Sequence, residues 1–517
     1  MSECHRTAEV FDGLCAWLRD GGASCGKVGV RQMGEEGEYG VVCTQEIKRG
    51  ERFLTVPVDL CITPDTVLEA CPQLGPLVNL DRLLLGHQHT GEAATADDAD
   101  TVDGTPPNGR RDCNGDDLAS SGESPPALQL LSGHSAVAAF LLYERNKGHR
   151  SKWRNYIASL PPLSLVRRHH SVFFSDKDLT WLIGTTVHTR GEVKRRKQEI
   201  MTDYAILTIA LGDFSSVASL EDFMWARCIV GSRLFSFLRQ RQKDATCPLV
   251  MLCPLADILN HKMPPESRWY FDACEGCFVL EALRDFTVGE EVHDSYGPKA
   301  NRLLYLYYGF TLLDQHHIHD TVDVHVDLSE EQRELWAAKA RHFSGKAIDV
   351  DGNNTHRLTF RLAWDSADPS LYQRLMAFLR IHVITDVDEL PSISDMWSVP
   401  PISVHNELLA LTHFQQLCAD ALKRYPASLQ DDEQLLQRPG SPLTPPQRNA
   451  LVVRIGEQRL LRHYESMCVR AADVLNRPAV EVRRWLAKRT RENTTHWDYF
   501  GTVPHQLLEM TSQTDNK

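Results

Sequence analysis

Two short polar motifs between Asp257 and Phe310 are not explained by core packing. In the first, Ala256-Asp257-Ile258-Leu259-Asn260-His261, an apolar strand-like run from Leu249 ends in an amide and an imidazole. The second, Gly289-Glu290-Glu291-Val292-His293-Asp294-Ser295-Tyr296-Gly297, delivers a phenol and is followed by Asn301 and then Tyr308-Gly309-Phe310. An amide and a phenol can orient a bound group through hydrogen bonds without acting as strong acid or nucleophile. His261 has no companion ligands at metal spacing, so a metal role does not suit it. Residues of this kind suit a reaction that depends on placing its partners.

Elements on either side must bring these groups together. Strand-like runs from Arg268 to Cys274 and from Cys277 to Leu283 flank Glu275-Gly276, which predicts a hairpin between the two motifs. Cys274-Glu275-Gly276-Cys277 is the one CxxC, and no second pair follows at zinc spacing, so it reads as the turn. Upstream, Tyr39 to Cys43, Ile47 to Glu51 and Phe53 to Pro57 alternate in character, as small twisted strands separated by glycine turns do. Phe11 to Gly22 reads as a short amphipathic helix closed by Gly-Gly, and Ser135 to Asn146 and Ser151 to Leu160 as further helices. Ser219 is placed to cap a helix that runs through Trp225 to Ser232-Arg233-Leu234-Phe235. Lys194-Arg195-Arg196-Lys197 reads as a solvated helical face rather than a nuclear signal. After about Asp320 strands are expected to give way to helices, among them Leu371 to Ile381, Glu407 to Arg424 and Arg448 to Leu461.

Composition bounds the rest. A chain of 517 residues calls for two or three domains. The net charge of -13 argues against a nucleic-acid binder. No secretory signal and no apolar run long enough for a bilayer is visible, and the scattered cysteines suit a reduced compartment, cytosolic or nuclear. Residues 91–126 are rich in Ala, Asp, Gly, Ser and Pro and nearly free of aliphatics, which predicts a disordered acidic loop.

The two motifs, in this order with a hairpin between them, resemble the signatures of SET-domain protein methyltransferases. The match is close to the branch typified by the Rubisco large-subunit lysine methyltransferase. The resemblance extends to Leu141-Leu142-Tyr143-Glu144 with Ser151-Lys152-Trp153 in a helical insert, and to Tyr425 through Leu461 in a C-terminal domain. It implies an α+β class: a SET-domain fold of small twisted β-sheets with a pseudoknot, a helical insert and a C-terminal all-α domain. The implied boundaries are a first SET half within 1–70, an insert over 71–218 and a second SET half over 219–315. A helical substrate-binding domain follows over 320–485, with a tail over 486–517.

The same resemblance implies S-adenosylmethionine as cofactor and Tyr296 as the catalytic hydroxyl. It places Asn260, His261, Asp257 and Arg233 at the cofactor. The family's Glu-Gly-Xaa-Gly is shifted by one residue in Glu36-Gly37-Glu38-Tyr39-Gly40, which leaves Glu38, Tyr39 and Gly40 as contacting residues there. Phe235, Tyr270 and Phe310 are the expected walls of a lysine channel. The implied activity is protein-lysine N-methylation of a non-histone protein. A histidine target and a catalytically silent binding module are the alternatives. The implied partner is a protein substrate, with no nucleic acid and no membrane, and the chain is expected to be a monomer.

Overall fold

The computed structural model describes residues 8–34, 38–77, 131–241, 245–314, 317–342, 357–391, 395–438, 440, 443–491 and 499–514. The loop expected over 91–126 lies outside them. Two compact units form, Met1–Val166 with Lys197–Pro298, and Arg167–Arg196 with Lys299–Lys517.

Among its described residues the first unit holds nine short strands: β1 (Val28–Gln32), β2 (Tyr39–Cys43), β3 (Arg52–Pro57), β4 (Leu234–Arg241), β5 (Ala245–Leu252), β6 (Asn260–His261), β7 (Ser267–Asp272), β8 (Cys277–Ala282) and β9 (Glu291–Asp294). One sheet runs in the order β1-β2-β9-β6, a second is β3-β8-β7, and β4 pairs with β5 alone. The first sheet positions both motifs. Val41 and Val42 are buried β-branched residues that pair antiparallel with Val292 and Glu291. On the other side of β9, Asn260 and His261 pair parallel with His293 and Asp294. A late segment therefore lies between two earlier ones, as the resemblance implies.

Between β7 and β8 the CxxC forms the expected hairpin turn. Gly276 takes φ +65°, and Asp272 accepts hydrogen bonds from the backbone N–H groups of Cys274 and Glu275 at 3.0 and 3.1 Å. The run from Leu249 into His261 is not one strand, contrary to expectation. β5 stops at Leu252, and Pro254 has no N–H to continue a ladder. Leu255 then takes φ 71° and ψ -42°, and Ala256–Ile258 form a 3-10 turn before β6.

Among the helices of this unit, α1 (Ala8–Asp20) buries Phe11, Leu14, Cys15 and Leu18, the spacing of one helical face. The helix α2 (Gly133–Lys147) starts at the Ser132 cap, and α3 (Glu192–Ala210) begins in the second unit and continues into this one from Lys197. The helix α4 (Leu220–Arg233) begins in a capping box, in which Ser219 Oγ accepts from the Asp222 N–H and Asp222 accepts from the Ser219 N–H, each at 3.1 Å.

In the second unit, β10 (Thr321–Asp327) and β11 (Arg357–Ala363) form an antiparallel ladder, so strands do persist beyond Asp320. The alternation of Thr321-Val322-Asp323-Val324-His325-Val326-Asp327 is its sequence signal, with the three valines buried in the core. The longer helices of the unit are α5 (Glu330–His342), α6 (Pro369–His382), α7 (Val404–Leu422), α8 (Leu429–Gln437), α9 (Pro445–Leu475), α10 (Ala479–Arg491) and α11 (Tyr499–Thr514). Their shared core includes Phe378, Phe414, Leu460, Leu461 and Tyr464. The segment expected as a tail carries α11, whose buried Tyr499 donates to Glu407 at 2.7 Å. Arg196 departs from the expected solvated face: it is buried, donates to the Leu306 carbonyl at 2.9 Å and lies 4.4 Å above the Tyr307 ring.

Candidate active site

Parallel pairing of β6 with β9 places the amide-imidazole motif beside the residues that follow β9. Gly297, at φ +90°, turns the chain directly after Tyr296. The Tyr296 backbone N–H donates to His261 Nδ1 at 3.0 Å, and the two rings stack with centroids 5.0 Å apart. An N–H can only donate, so Nδ1 is the acceptor and a neutral His261 carries its proton on Nε2. The Tyr296 hydroxyl donates to the Leu259 carbonyl at 2.8 Å. Two bonds thus tie one tyrosine to two residues of the other motif, Leu259 and His261, on either side of Asn260.

Asn260 is fixed from the opposite side. Its Nδ2 donates to Glu291 Oε1 at 2.7 Å and to the Tyr39 carbonyl at 3.3 Å, which leaves Oδ1 as the acceptor end. Gly40 is required here for space. A Cβ on it would come within 3.0 Å of Asn260 Nδ2 and 2.9 Å of the Met33 side chain.

Glu291 continues into a charged chain. Its second oxygen lies 3.3 Å from His293 Nε2, while His293 Nδ1 is 3.3 Å from Glu266. Burial pushes the Glu266 carboxyl up, but hydrogen bonds from Arg284 and Lys262, at 3.0 and 2.6 Å, outweigh it and hold the carboxyl down to about 2. Asp294, at the end of β9, shows the opposite balance. Burial pushes it up to about 7 against the single hydrogen bond from the Ser295 N–H, at 2.7 Å.

Asp257 sits on the 3-10 turn with its side chain wholly buried. Its Oδ2 accepts from the Tyr156 hydroxyl at 2.8 Å and lies 3.6 Å from Arg233, which also donates to the Asp257 carbonyl at 2.5 Å. Its Oδ1 has no hydrogen-bond partner among the described residues. Burial raises this carboxyl, and Arg233 only partly offsets the rise. Arg233, at the last turn of α4, keeps about a fifth of its side chain in solvent, with an exposure of 18%.

Of the expected aromatic walls, Phe235 on β4 packs edge-on against Phe278 at 4.8 Å and Trp269 at 5.5 Å. Tyr270 does not join that cluster. Successive strand residues point to opposite faces, and its ring instead faces the Arg52 guanidinium at 5.7 Å. Phe310 belongs to the second unit, where its ring is 6.3 Å from that of Tyr308. Glu38 is exposed, and its carbonyl accepts from the Met33 N–H at 2.9 Å, while the Tyr39 ring packs on Phe11 at 4.6 Å. Sequence reasoning did not assign Glu291, Trp269, Tyr156 or the Leu259 carbonyl. Glu291 lies inside the second motif, and its spacing to Tyr296 was the available signal.

A SET-domain profile matches residues 38–297, just over half of the chain, and a Rubisco LSMT substrate-binding profile matches residues 328–461. Among curated relatives, an actin-histidine N-methyltransferase of Danio rerio is 24% identical over 90% of this chain and 68% of its own length. A chloroplastic fructose-bisphosphate aldolase-lysine N-methyltransferase of Arabidopsis thaliana is 27% identical over 87% of this chain and 81% of its own. A crystal structure of the SET domain of LSMT bound to lysine and AdoHcy superposes with a TM-score of 0.61 at 20% identity, over 92% of this chain and 95% of that one. Rubisco LSMT bound to AdoMet gives 0.59 at 20% identity, over 96% and 99%. The chain belongs to the SET-domain family and carries the Rubisco LSMT type of substrate-binding domain behind its SET core.

Proposed function

We propose that this protein is an S-adenosylmethionine-dependent methyltransferase that acts on a lysine side chain of a non-histone protein. The observation that carries the reading is the junction of Tyr296 with Leu259 and His261, beside the parallel pairing of Asn260 with His293, which joins two sequence-distant motifs at one point. The polar groups around it fit the amino-acid end of S-adenosylmethionine. Asn260 Oδ1 is an acceptor for an ammonium, and Arg233 has donors beyond the one it gives Asp257. When bound, S-adenosylmethionine supplies an electrophilic methyl on sulfur.

The chain's own residues supply placement. Tyr296, its hydroxyl proton committed to Leu259, presents an oxygen that can only accept, which suits orientation of an incoming amine. Phe235, with Trp269 and Phe278 behind it, offers an aromatic face to an aliphatic stem. Desolvation there lowers an amine from its ordinary value near 10.4, and placement at about 3–3.5 Å from the methyl does the rest. A histidine target is the second reading, favoured by the name of the Danio rerio relative. An imidazole needs a polar partner to select one nitrogen, and the neighbours of Phe235 are aromatic, so lysine is the better fit. The protein acts as a monomer in the cytosol or nucleus. Among the described residues no helix is long and apolar enough to cross a membrane.

The test is to label a cell extract with isotopic S-adenosylmethionine and the purified chain, then identify the modified residue by mass spectrometry. Methyl-lysine supports the proposal, and methyl-histidine replaces it with the second reading. Failure to bind S-adenosylmethionine by calorimetry would make the chain a silent binding module.

A further inference from the structure

The second unit contains a cleft of about 570 Å³ whose lining brings four guanidinium groups, Arg190, Arg195, Arg357 and Arg424, against two carboxylates, Asp327 and Asp420. On a chain with net charge -13 such a local excess of positive charge is not an average property of the surface. Its construction starts from buried Asp323 on β10, only 1% exposed. That carboxylate pairs with Arg190 and lies 3.5 Å from Arg361, while the Asp323 carbonyl accepts from Arg424 at 3.0 Å. One buried residue thereby fixes two of the lining arginines without facing the cleft itself.

The two lining acids do not cancel the excess. Among the described residues, Asp327 is hydrogen-bonded by Arg357 alone, through two parallel bonds of 2.6 and 2.9 Å. Asp420 is held by Lys423 and Gln416 of its own helical stretch, at 2.8 and 2.9 Å. Meanwhile donors remain. Arg190 uses Nε on Asp323, Arg195 gives one terminal nitrogen to the Arg190 carbonyl at 3.2 Å, and Arg424 uses Nε and one terminal nitrogen on carbonyls. At least one terminal nitrogen of each has no hydrogen-bond partner among the described residues. Burial first, and then the positive charges of Arg424 and Arg357, hold the His325 imidazole below its usual range against the opposing pull of Asp323 and Asp327. Leu417 and Ala421 of α7 add an apolar wall.

Planar forks with spare donors around an open, partly apolar recess match carboxylates on an extended chain. Most of this lining, from Arg357 to Arg424, also falls within the match to the Rubisco LSMT substrate-binding profile. We infer that the cleft is a docking site for an acidic segment of the protein substrate, one that carries closely spaced Asp or Glu residues. The inference rests on the reading of the chain as an enzyme of protein substrates.

The test uses the full chain, without cofactor, and fluorescence anisotropy of a labelled oligoglutamate peptide with its oligoglutamine counterpart. The acidic peptide should bind, the neutral one should not, and raising salt should weaken binding. Arg195→Glu should weaken it by at least about tenfold. Arg195 is exposed and gives only one described hydrogen bond, so melting curves should confirm an intact fold. Lys194→Glu, the same charge change on an exposed neighbour outside the lining, should bind nearly as the parent does. Equal binding by Arg195→Glu, equal loss in Lys194→Glu, or no binding of oligoglutamate overturns the proposal. Inorganic phosphate that binds in an Arg195-dependent way while the peptide does not would reassign the cleft to small anions. Titration of S-adenosylmethionine into the same preparations reads the enzyme proposal separately.

Discussion

The polar groups around Tyr296 and those buried among the C-terminal helices are both tightly bonded, but they are completed in different ways. Arg380 and Glu407 form two parallel bonds of 2.7 and 2.9 Å, the Val399 carbonyl takes a third guanidinium donor at 2.8 Å, and Tyr499 completes the carboxylate at 2.7 Å. Arg454 and Asp432 are likewise paired in the interior, with Gln458 at 2.8 Å. Such groups have little left to offer a ligand. In the SET core, Asp257 keeps an orphan buried oxygen, Asn260 presents an acceptor end, and Arg233 reaches solvent. Completed networks stabilise a fold, whereas incomplete ones, held rigidly by their bonded half, are prepared for something to bind.

The sharpest break in this comparison is Arg380→Met. It strands the buried Glu407 carboxylate, with an expected loss of about 3–5 kcal/mol of stability. Denaturant melts measure it, and a midpoint near the parent's would mean the network is ornamental. Removing the pair together as Arg380→Met with Glu407→Leu should recover much of that loss, because no uncompensated charge remains. At the other pole, Asn260→Ala should barely change the melt but weaken S-adenosylmethionine binding by about 1–3 kcal/mol, read by titration calorimetry. Unchanged affinity would remove Asn260 from the cradle.

Tyr296→Phe should retain the cofactor and slow methylation at least tenfold, or about 1.4 kcal/mol of barrier, in a single-turnover assay with labelled cofactor. Near-parent turnover would show the hydroxyl to be only a brace for Leu259. A smaller effect concerns Asp294, raised in the fold to about 7 from an ordinary carboxyl value near 3.9. Between those values the folded chain holds the proton more firmly than the unfolded one. The stabilisation is therefore full below about pH 4 and is lost as pH rises through about 7. Asp294→Asn should flatten that part of the profile, so the parent loses more stability than the variant between mildly acidic and mildly alkaline buffer. Parallel pH profiles of the two proteins would exclude Asp294 as a contributor.

Much of the SET core was legible because its groups lie in two compact motifs whose residue types do not suit core packing. His261 and Tyr296 meet, and the Ser219 cap and the Cys274-Cys277 turn form as local chemistry dictates. What stayed hidden depended on parity or on burial. On β7 the expected wall residue was Tyr270, but its neighbour Trp269 reaches Phe235. The partner strand β8 buries Phe278, Val279 and Leu280 in succession, so it carries no alternation from which the facing side could be read. The break at Leu255 was obscured by an apolar run, since composition alone does not report a positive φ at a leucine. The strand at Thr321 alternates plainly, yet its partner at Arg357 lies far along the sequence, and only a non-local ladder makes it a sheet.

The position of β9 between β2 and β6 bears on how the protein is made. As the chain leaves the ribosome, β2 emerges long before the strand that pairs with its second edge. Until Glu291 to Asp294 arrive, the edge formed by Val41 and Val42 presents unpaired backbone groups next to apolar side chains, a template for joining another nascent chain. The Tyr296 junction cannot close before that same moment, because the tyrosine follows directly on the arriving strand. Maturation of the site and protection of the exposed edge are thus a single event, and a chain interrupted before Glu291 would lack both.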